Sequence, residues 1–341
     1  MKGEKVISDF GIPIFLAADQ FKKLLKSKME KELQTKNQNK KLEIINQVPE
    51  ELLWINNFNS KRSRQTYQIA TKKFIDFFKI KTAEELRTIT HAHIIAFKNH
   101  LQESEQSPKT INNRLSALSS LFNHLIEHQV VFINPVQSVK RMRINSNRVE
   151  AKVLSPRQAR RMINAPDLLK GQGIRDRAIL GTLFFTGCRV SELCKLKVKD
   201  YYEEQGFWIL DFVTKGGKRN RLAVNQELQV FLNAYLEQSG HNDEKDSPLI
   251  LPIKMNPNLN QVRFISSRQV QLLWKRYAEK NQIQGTTPHS ARATFITQAL
   301  ENNCPLDTVQ KSVGHSQIKT TQMYDKRVAK YRESASFAVR Y

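Results

Sequence analysis

Six residues in the second half of the chain have side chains that could act together on a phosphate group. Arginine offers a planar, permanently charged fork that suits two phosphate oxygens, and a tyrosine hydroxyl can form a covalent intermediate as a nucleophile. His289 and Arg292 share one helical face through their i, i+3 spacing. The six residues are Arg189, Lys215, His289, Arg292, His315 and Tyr324.

The local sequence gives a reason for the position of two of these residues. Arg189 lies in TGCRVSEL, shortly after the glycine that ends an apolar helical pattern, so packed backbone is expected to hold it. A surface arginine paired with Glu192, three residues on, is the simpler alternative for that position alone. Lys215 begins the glycine turn 215–217 between two predicted strands.

Taken in order, these motifs resemble the tyrosine recombinase family, which contains the phage integrase, Xer and Cre-like enzymes. The matches are TGxRxSEL at Arg189, the hairpin lysine at Lys215, HxxR in PHSARATF, GH in VGHSQ, and Tyr324 in TTQMYDKR. Each motif alone occurs by chance in many proteins, whereas five in this order are specific. Residues 49–143 resemble the family's core-binding domain by position and by the helix INNRLSALSSLFNHL.

The sequence departs from the family pattern at two positions. Ala293 follows the motif arginine where many relatives have a second histidine, and Val313 precedes the GH motif where leucine is usual. Neither change removes a catalytic group. Some relatives have tryptophan in place of His315, so hydrogen bonding or packing is expected of this residue more than proton transfer.

The resemblance implies an enzyme that cleaves and rejoins duplex DNA through a 3′-phosphotyrosyl intermediate, without ATP, metal or cofactor. Tyr324 is then the nucleophile, and Arg189 and Arg292 stabilise the charge that develops on the phosphate. By the same resemblance, His289 accepts the proton of the tyrosine and Lys215 protonates the leaving 5′ oxygen. The implied fold is mainly α with a small antiparallel β-sheet, as a helical core-binding domain plus an α+β tyrosine-recombinase catalytic domain.

The charge of the chain independently indicates a polyanionic partner. Lys and Arg number 55 against 32 Asp and Glu in 341 residues, a formal net charge of +23. Both halves of the chain share the excess, so both are expected to bind double-stranded DNA as a clamp. The candidate DNA contacts are Lys61, Arg62, Arg64, Lys140, Arg141 and Arg143, with a solvated charged face as the alternative for the first three.

Hydrophobic periodicity predicts the elements that must position these residues. The first half is predicted to be a helical bundle, and a capping box at Ser155 begins a second, mostly helical region. The apolar stripes of the bundle are Tyr67, Ala70, Phe74 and Phe77, then Ile94, Phe97 and Leu101, then Ile111, Leu115, Leu118, Phe122 and Leu125. The second region has predicted strands at 196–202, 206–213 and 219–224, and predicted helices at 226–238, 267–281 and 288–301.

These patterns give a predicted division of the chain into four parts. Residues 1–48 are an N-terminal extension or arm, 49–143 a helical core-binding (DNA-clamp) domain, 144–154 a linker, and 155–341 the catalytic domain with a C-terminal tail. Within the tail, Val328, Tyr331 and Phe337 are predicted to dock on a neighbouring subunit. The expected active unit is a homotetramer on two DNA sites, with accessory proteins as further candidate partners.

Other classes of protein lack support in the sequence. The eight histidines form no HExxH motif and the three cysteines no CxxC, so neither a metal nor a cofactor is expected. Three cysteines cannot all pair within one chain, which favours a reducing cytoplasm. No apolar run approaches the roughly 18 residues of a membrane span, so a membrane partner is not expected.

Two other functions remain alternatives to recombination. A type IB topoisomerase uses a similar active site but only relaxes supercoils, and a DNA-binding relative could have lost its activity. The basic helical first domain favours the recombinase, and the intact set of catalytic residue types argues against the inactive relative. The HSARAT and MYDKR segments are more typical of mobile-element recombinases than of chromosome-dimer resolvases.

Overall fold

The computed structural model describes residues 48–144, 151–214, 217–252 and 263–325. Lys215 and the predicted tail after Tyr324 therefore lie outside the described residues, as do residues 1–47 and most of the predicted linker. The backbone contacts divide the chain into two compact units, Met1–Asn145 and Ser146–Tyr341, here called unit 1 and unit 2.

Unit 1 is built from five helices in its described part. Side-chain caps fix the start of several of them, because Ser60, Thr82 and Ser107 each accept a hydrogen bond from the backbone N–H three residues on. The helices are α1 (Glu50–Asn56), α2 (Lys61–Phe78), α3 (Ala83–Arg87), α4 (His91–Glu103) and α5 (Pro108–Glu127).

The core of unit 1 follows the predicted stripes on α4 and α5, whose members are all buried. On α2 the predicted stripe is wrong at Phe77, which is 36% exposed, while Thr71 and Ile75 are buried in its place. Successive residues in a helix are about 100° apart, so Phe77 lies on the opposite side of α2 from Ile75. When Ile75 faces the core, Phe77 therefore faces solvent. Its ring packs on His100 with 4.4 Å between centroids.

Unit 2 is organised around α7, which is buried on nearly all sides and packs against α9 and α11. The capping box predicted at Ser155 begins α6, and α11 spans the predicted residues. The helices are α6 (Pro156–Asn164), α7 (Gly171–Thr186), α8 (Val190–Leu193), α9 (Gln226–Ser239), α10 (Ser267–Lys280), α11 (Pro288–Glu301), α12 (Leu306–Val313) and α13 (Ile318–Gln322).

A three-stranded antiparallel sheet interrupts the helices of unit 2, in the order β1 (Tyr201–Glu204), β2 (Phe207–Val213) and β3 (Arg219–Ala223). Leu210 at its centre pairs with Tyr201 on one side and Leu222 on the other. The second and third strands lie within one residue of their predicted bounds. The predicted start of the first strand at residue 196 is wrong.

A short 3₁₀ helix, Val198–Asp200, occupies the place of that predicted strand start. The Asp200 carboxylate accepts a hydrogen bond from the Lys197 N–H at 2.9 Å, which favours a turn over an extended strand. The Val198 N–H donates to the Ser247 carbonyl, so this segment pairs outside the sheet. The predicted fold class, mainly α with a small antiparallel sheet, is confirmed.

Helix α11 lies between two apolar clusters and so fixes the position of the motif residues that it carries. Ala291 faces the main core around α7, whereas Ala293, Ile296 and Leu300 belong to a second cluster. Tyr324 belongs to that second cluster together with residues of α12. Among the described residues, no helix is both long enough and apolar enough to span a membrane.

Candidate active site

Arg292 joins three segments that are far apart in sequence. Its Nη1 donates to the Gly187 carbonyl at 2.8 Å and its Nη2 to the Val313 carbonyl at 2.7 Å. Gly187 caps the C-terminus of α7 and Val313 ends α12, so the guanidinium lies where two helix C-termini concentrate negative partial charge. The side chain is 1% exposed.

Burial has an electrostatic consequence for Arg292. Desolvation, followed by the nearby charge of Arg189, lowers the pKa of Arg292 to about 10. Its Nε has no hydrogen-bond partner among the described residues.

Glycine is required at position 187 for two independent reasons. Its φ of +61° is in the left-handed region that ends α7, and a Cβ there would lie 2.6 Å from the Phe295 ring. Any other residue would push α7 away from α11 and displace the carbonyl that Arg292 binds. The TGxR motif therefore encodes a close contact between two helices as well as the arginine.

Arg189 is held by Glu192, as the simpler alternative from the sequence expected. The Arg189 N–H donates to Glu192 Oε2 and its Nη1 to Oε1, both at 2.7 Å. The glutamate side chain is 7% exposed and the arginine side chain 36% exposed, so a buried carboxylate orients a guanidinium that reaches the surface. The charge of Arg189 also lowers the pKa of Arg292. Arg189 is therefore paired with Glu192 and at the same time lies close to Arg292.

His315 follows the left-handed Gly314 that ends α12. Its Nδ1 lies 2.9 Å from Thr321 Oγ1, and its backbone is held on both sides by Gln310, which accepts from the His315 N–H and donates to its carbonyl. Burial, then the charges of Arg292 and Arg189, lower its pKa to about 4. The imidazole is therefore neutral at physiological pH.

Tyr324 lies beside His315, with 6.3 Å between the ring centroids and 21° between the planes. The residue is 6% exposed and packs in the second cluster of unit 2. Burial raises the pKa of the Tyr324 hydroxyl, while the charges of Arg292 and Arg189 act in the opposite direction. The phenol is therefore protonated at neutral pH and lies in the field of both arginines.

His289 lies exposed in the first turn of α11, and its charge is among those that lower the pKa of His315. The structure thus brings Arg189, Arg292, His289, His315 and Tyr324 into one electrostatically coupled group within unit 2. Lys215 lies outside the described residues.

The hairpin on either side of Lys215 is fastened to α12. The Asn220 side chain on β3 donates to the Ser312 carbonyl at 2.8 Å. A Cβ at Gly314 would lie 3.4 Å from the Thr214 methyl group, which shows how closely the GH motif approaches the hairpin. The roles of Asn220, Gln310 and Thr321 are not predictable from the sequence, because no recognisable motif spacing links them to their partners.

The candidate DNA contacts in unit 1 differ in how they are held. Lys61 and Arg62 are exposed at the start of α2. Lys140 and Arg143 are exposed after α5. Two arginines contact protein backbone: Arg64 donates to the Phe58 carbonyl at 2.8 Å, and Arg141 donates to the Asn112 carbonyl at 3.2 Å.

The chain is similar to known proteins both in sequence and in fold. The chain is 29% identical over 269 residues to tyrosine recombinase XerC of Thermodesulfovibrio yellowstonii, covering 78% of this chain and 86% of that protein. A structure of XerH recombinase bound to palindromic difH substrate has a TM-score of 0.65 at 18% identity, covering 89% of both chains. A lambda integrase tetramer bound to a Holliday junction has a TM-score of 0.64 at 17% identity, covering 84% of this chain and 77% of that one.

The two structural likenesses establish the fold, and the sequence matches establish the family. Residues 44–131 match the phage integrase N-terminal SAM-like domain. Residues 152–330, more than half of the chain, match the phage integrase family. This protein therefore belongs to the phage integrase family.

Proposed function

We propose that this protein is a site-specific tyrosine recombinase that cleaves duplex DNA, forms a 3′-phosphotyrosyl intermediate and exchanges strands between two sites. The observation that carries the proposal is the gathering of Arg189, Arg292, His315 and Tyr324 around the C-terminal ends of α7 and α12. Two cations, a neutral imidazole and a protonated phenol are the groups that phosphoryl transfer to a tyrosine requires.

The two arginines supply the electrostatic part of the reaction. Attack on a phosphodiester increases the negative charge on the non-bridging oxygens in the transition state. Arg292 is fixed by two carbonyls, and its charge acts on the Tyr324 hydroxyl, so it lies close to where a phosphate would be attacked. Arg189, oriented by Glu192, offers a second fork from the surface side.

Proton transfer accompanies the attack. The Tyr324 oxygen forms a bond to phosphorus, and the bond from phosphorus to the 5′ oxygen breaks. Burial keeps the Tyr324 hydroxyl protonated before the attack, so its proton must be transferred to a base during the attack. We assign the acceptance of that proton to His289 and the protonation of the leaving 5′ oxygen to Lys215, both through family resemblance. His315 is neutral and would hydrogen-bond a phosphate oxygen or the phenol.

The covalent intermediate explains why no ATP is required. A phosphotyrosyl ester keeps the free energy of the phosphodiester that was broken, so a 5′ hydroxyl can reverse the reaction. When that hydroxyl comes from a second DNA site, the result is strand exchange. The solved relatives include a post-cleavage complex of XerH and a lambda integrase tetramer on a Holliday junction, which supports a homotetramer on two sites as the active unit.

The proposal also assigns the parts of the chain and its surroundings. Residues 49–143 form the DNA-clamping core-binding domain, 144–154 a linker and 155–341 the catalytic domain, with residues 1–48 as an extension or arm. Double-stranded DNA is the substrate, and the net charge of +23 supports contacts with many DNA phosphates. Accessory proteins are further candidate partners. The expected compartment is the cytoplasm.

A nicked DNA substrate carrying the recombination site tests the nucleophile, because the nick traps the covalent adduct. Tyr324→Phe removes one oxygen and should abolish the adduct while leaving site binding intact. The matched control is Tyr277→Phe, because Tyr277 is equally buried but its hydroxyl donates to Asp176 at 2.9 Å, outside the site. An adduct in the Tyr324→Phe variant would instead assign the reaction to another tyrosine, such as Tyr331.

A two-site assay separates the proposed function from its alternatives. The recombinase should convert two sites on one plasmid into recombinant circles. Supercoil relaxation without recombinant circles would identify a topoisomerase, and DNA binding without a covalent adduct would identify an inactive relative.

A further inference from the structure

We propose that unit 1 contains a Zn²⁺ site formed by Glu50, His124 and His128. Glu50 is the first residue of α1, His124 lies in the last turn of α5, and His128 caps that helix. Glu50 and His124 are 74 residues apart in sequence, so only the folded unit brings the three together. This site is separate from the phosphate chemistry of unit 2.

The distances suit one metal ion. His124 Nε2 lies 3.0 Å and His128 Nδ1 lies 3.8 Å from Glu50 Oε2, and one ligand atom from each residue lies within 4.8 Å of both others. Tetrahedral Zn²⁺ with bonds of about 2.0–2.1 Å separates its ligand atoms by about 3.3 Å. The two carboxylate distances fall on either side of that value, so small side-chain rotations would complete the geometry.

The residue types select the class of metal. Two imidazoles and one carboxylate are a common set for zinc with an open position, whereas Ca²⁺ and Mg²⁺ take oxygen ligands. The i, i+4 spacing presents both rings on one helical face, with 4.3 Å between their centroids. Two imidazoles this close together can bind one cation between them.

The surroundings supply room for a fourth ligand. His124 also lines a cavity of about 480 Å³ together with Ser120, Asn123 and Glu127. These side chains are polar and can hold water beside His124. The His124, Glu50 and His128 side chains are 11%, 25% and 49% exposed, so the site would lie at the surface of unit 1, open to an ion from solvent.

The effect of the metal would be to fasten α1 to α5. Helix α1 has seven residues, too few to be stable alone, and depends on contacts such as the bond from Trp54 Nε1 to Ser120 at 3.2 Å. A link between residues 50 and 124 closes a long loop, the case in which a metal clip constrains the unfolded chain most. Zinc would therefore stabilise the proposed core-binding domain.

Equilibrium dialysis of the untagged, chelator-treated full chain against Zn²⁺ tests the site. One ion should bind per chain, and Co²⁺ in its place should give the visible absorption of a tetrahedral complex. Loss of an outer-shell partner alone weakens metal sites by about 10- to 100-fold, so His128→Ala and the isosteric Glu50→Gln should each weaken binding by about 100-fold. His100→Ala is the control, because His100 is also an exposed histidine of unit 1.

Two outcomes would overturn the proposal. One is a wild-type chain that takes up no stoichiometric Zn²⁺, which would make the contact between Glu50 and His124 an ion pair only. The other is equal affinity in wild type, Glu50→Gln and His128→Ala, which would place the ion elsewhere. Circular dichroism of each variant identifies a folding failure, and Glu50→Gln, which preserves side-chain volume, remains informative if His128→Ala unfolds.

Discussion

Two cationic side chains at the start of α2 in unit 1 and one on α11 in unit 2 have opposite environments. In unit 1, Lys61 and Arg62 are exposed at the start of α2, where water and salt screen their charge. In unit 2, Arg292 is 1% exposed and is bound by the carbonyls of Gly187 and Val313. A charge that only attracts a DNA backbone can stay solvated, whereas a charge that stabilises a transition state must be fixed before the reaction.

Breaking the buried arrangement should produce the largest effect. Removal of one preorganised donor reduces turnover by about 10²–10³, and Arg292→Ala also leaves two buried carbonyls without their donor, at about 1–3 kcal/mol each. We therefore expect Arg292→Ala to abolish most covalent adduct formation and to lower the thermal midpoint. Single-turnover cleavage of a nicked site and thermal melts measure the two losses.

A second buried arginine separates the chemical loss from the structural one. Arg175 is 5% exposed, and its Nε donates to Asp176 at 3.1 Å within the core of unit 2, away from the site residues. Arg175→Ala should also lower the thermal midpoint, but it should keep near-normal cleavage at a temperature where it is folded. Equal cleavage by the two variants at matched stability would contradict a transition-state role for Arg292.

The sequence predicts the helices and the motif residues of the site better than it predicts the contacts between them. Capping residues and apolar spacing place the starts of α6 and α11, and motif order identifies the arginines and Tyr324. The bonds from Arg292 to carbonyls at positions 187 and 313 depend on how helices pack, and no local pattern encodes them. The late start of the first strand, at residue 201 and not 196, has the same cause, because Val198 bonds to Ser247 across a loop.

The proposed zinc site also depends on a tertiary contact that the sequence does not predict. The sequence predicts no metal site, because it contains no short metal-binding motif such as HExxH. His124 and His128 have a suitable i, i+4 spacing, but a histidine pair alone is weak evidence. The third ligand, Glu50, comes from a helix 74 residues earlier, and only the packing of α1 on α5 reveals it.

A smaller effect is expected from the titration of His315. Because burial and the two arginines lower its pKa to about 4, from an ordinary 6.5, the unfolded chain binds the proton more readily between these values. Stability is therefore complete above about pH 6.5 and falls as the pH decreases towards 4. The slope should stay below about 1.4 kcal/mol per pH unit, since His315 is only half-buried and solvent screens part of the effect.

Thermal melts between pH 7.5 and pH 4.5 measure this dependence. His315→Gln can still hydrogen-bond Thr321 but has no titrating ring, so its melting temperature should change less over this range than that of the wild type. His100→Gln, at an exposed position of unit 1, should follow the wild type. A wild-type and His315→Gln pair with the same pH dependence would show that other groups dominate.

The smallest effects should come from the exposed cations of unit 1. Lys61→Ala and Arg62→Ala should each weaken DNA binding modestly, reduce the slope of log affinity against log salt by about 1, and leave sequence preference unchanged. Lys81→Ala is the matched control, since it also removes one positive charge, beyond the other end of α2, a helix about 27 Å long. Fluorescence anisotropy on specific and scrambled duplexes at several salt concentrations measures all three quantities. Two results would contradict this prediction: a changed sequence preference in either variant, or an equal reduction of the slope by Lys81→Ala. Either result would show that Lys61 and Arg62 do not act as solvated contacts to the DNA backbone, and their contrast with the buried Arg292 would then be wrong.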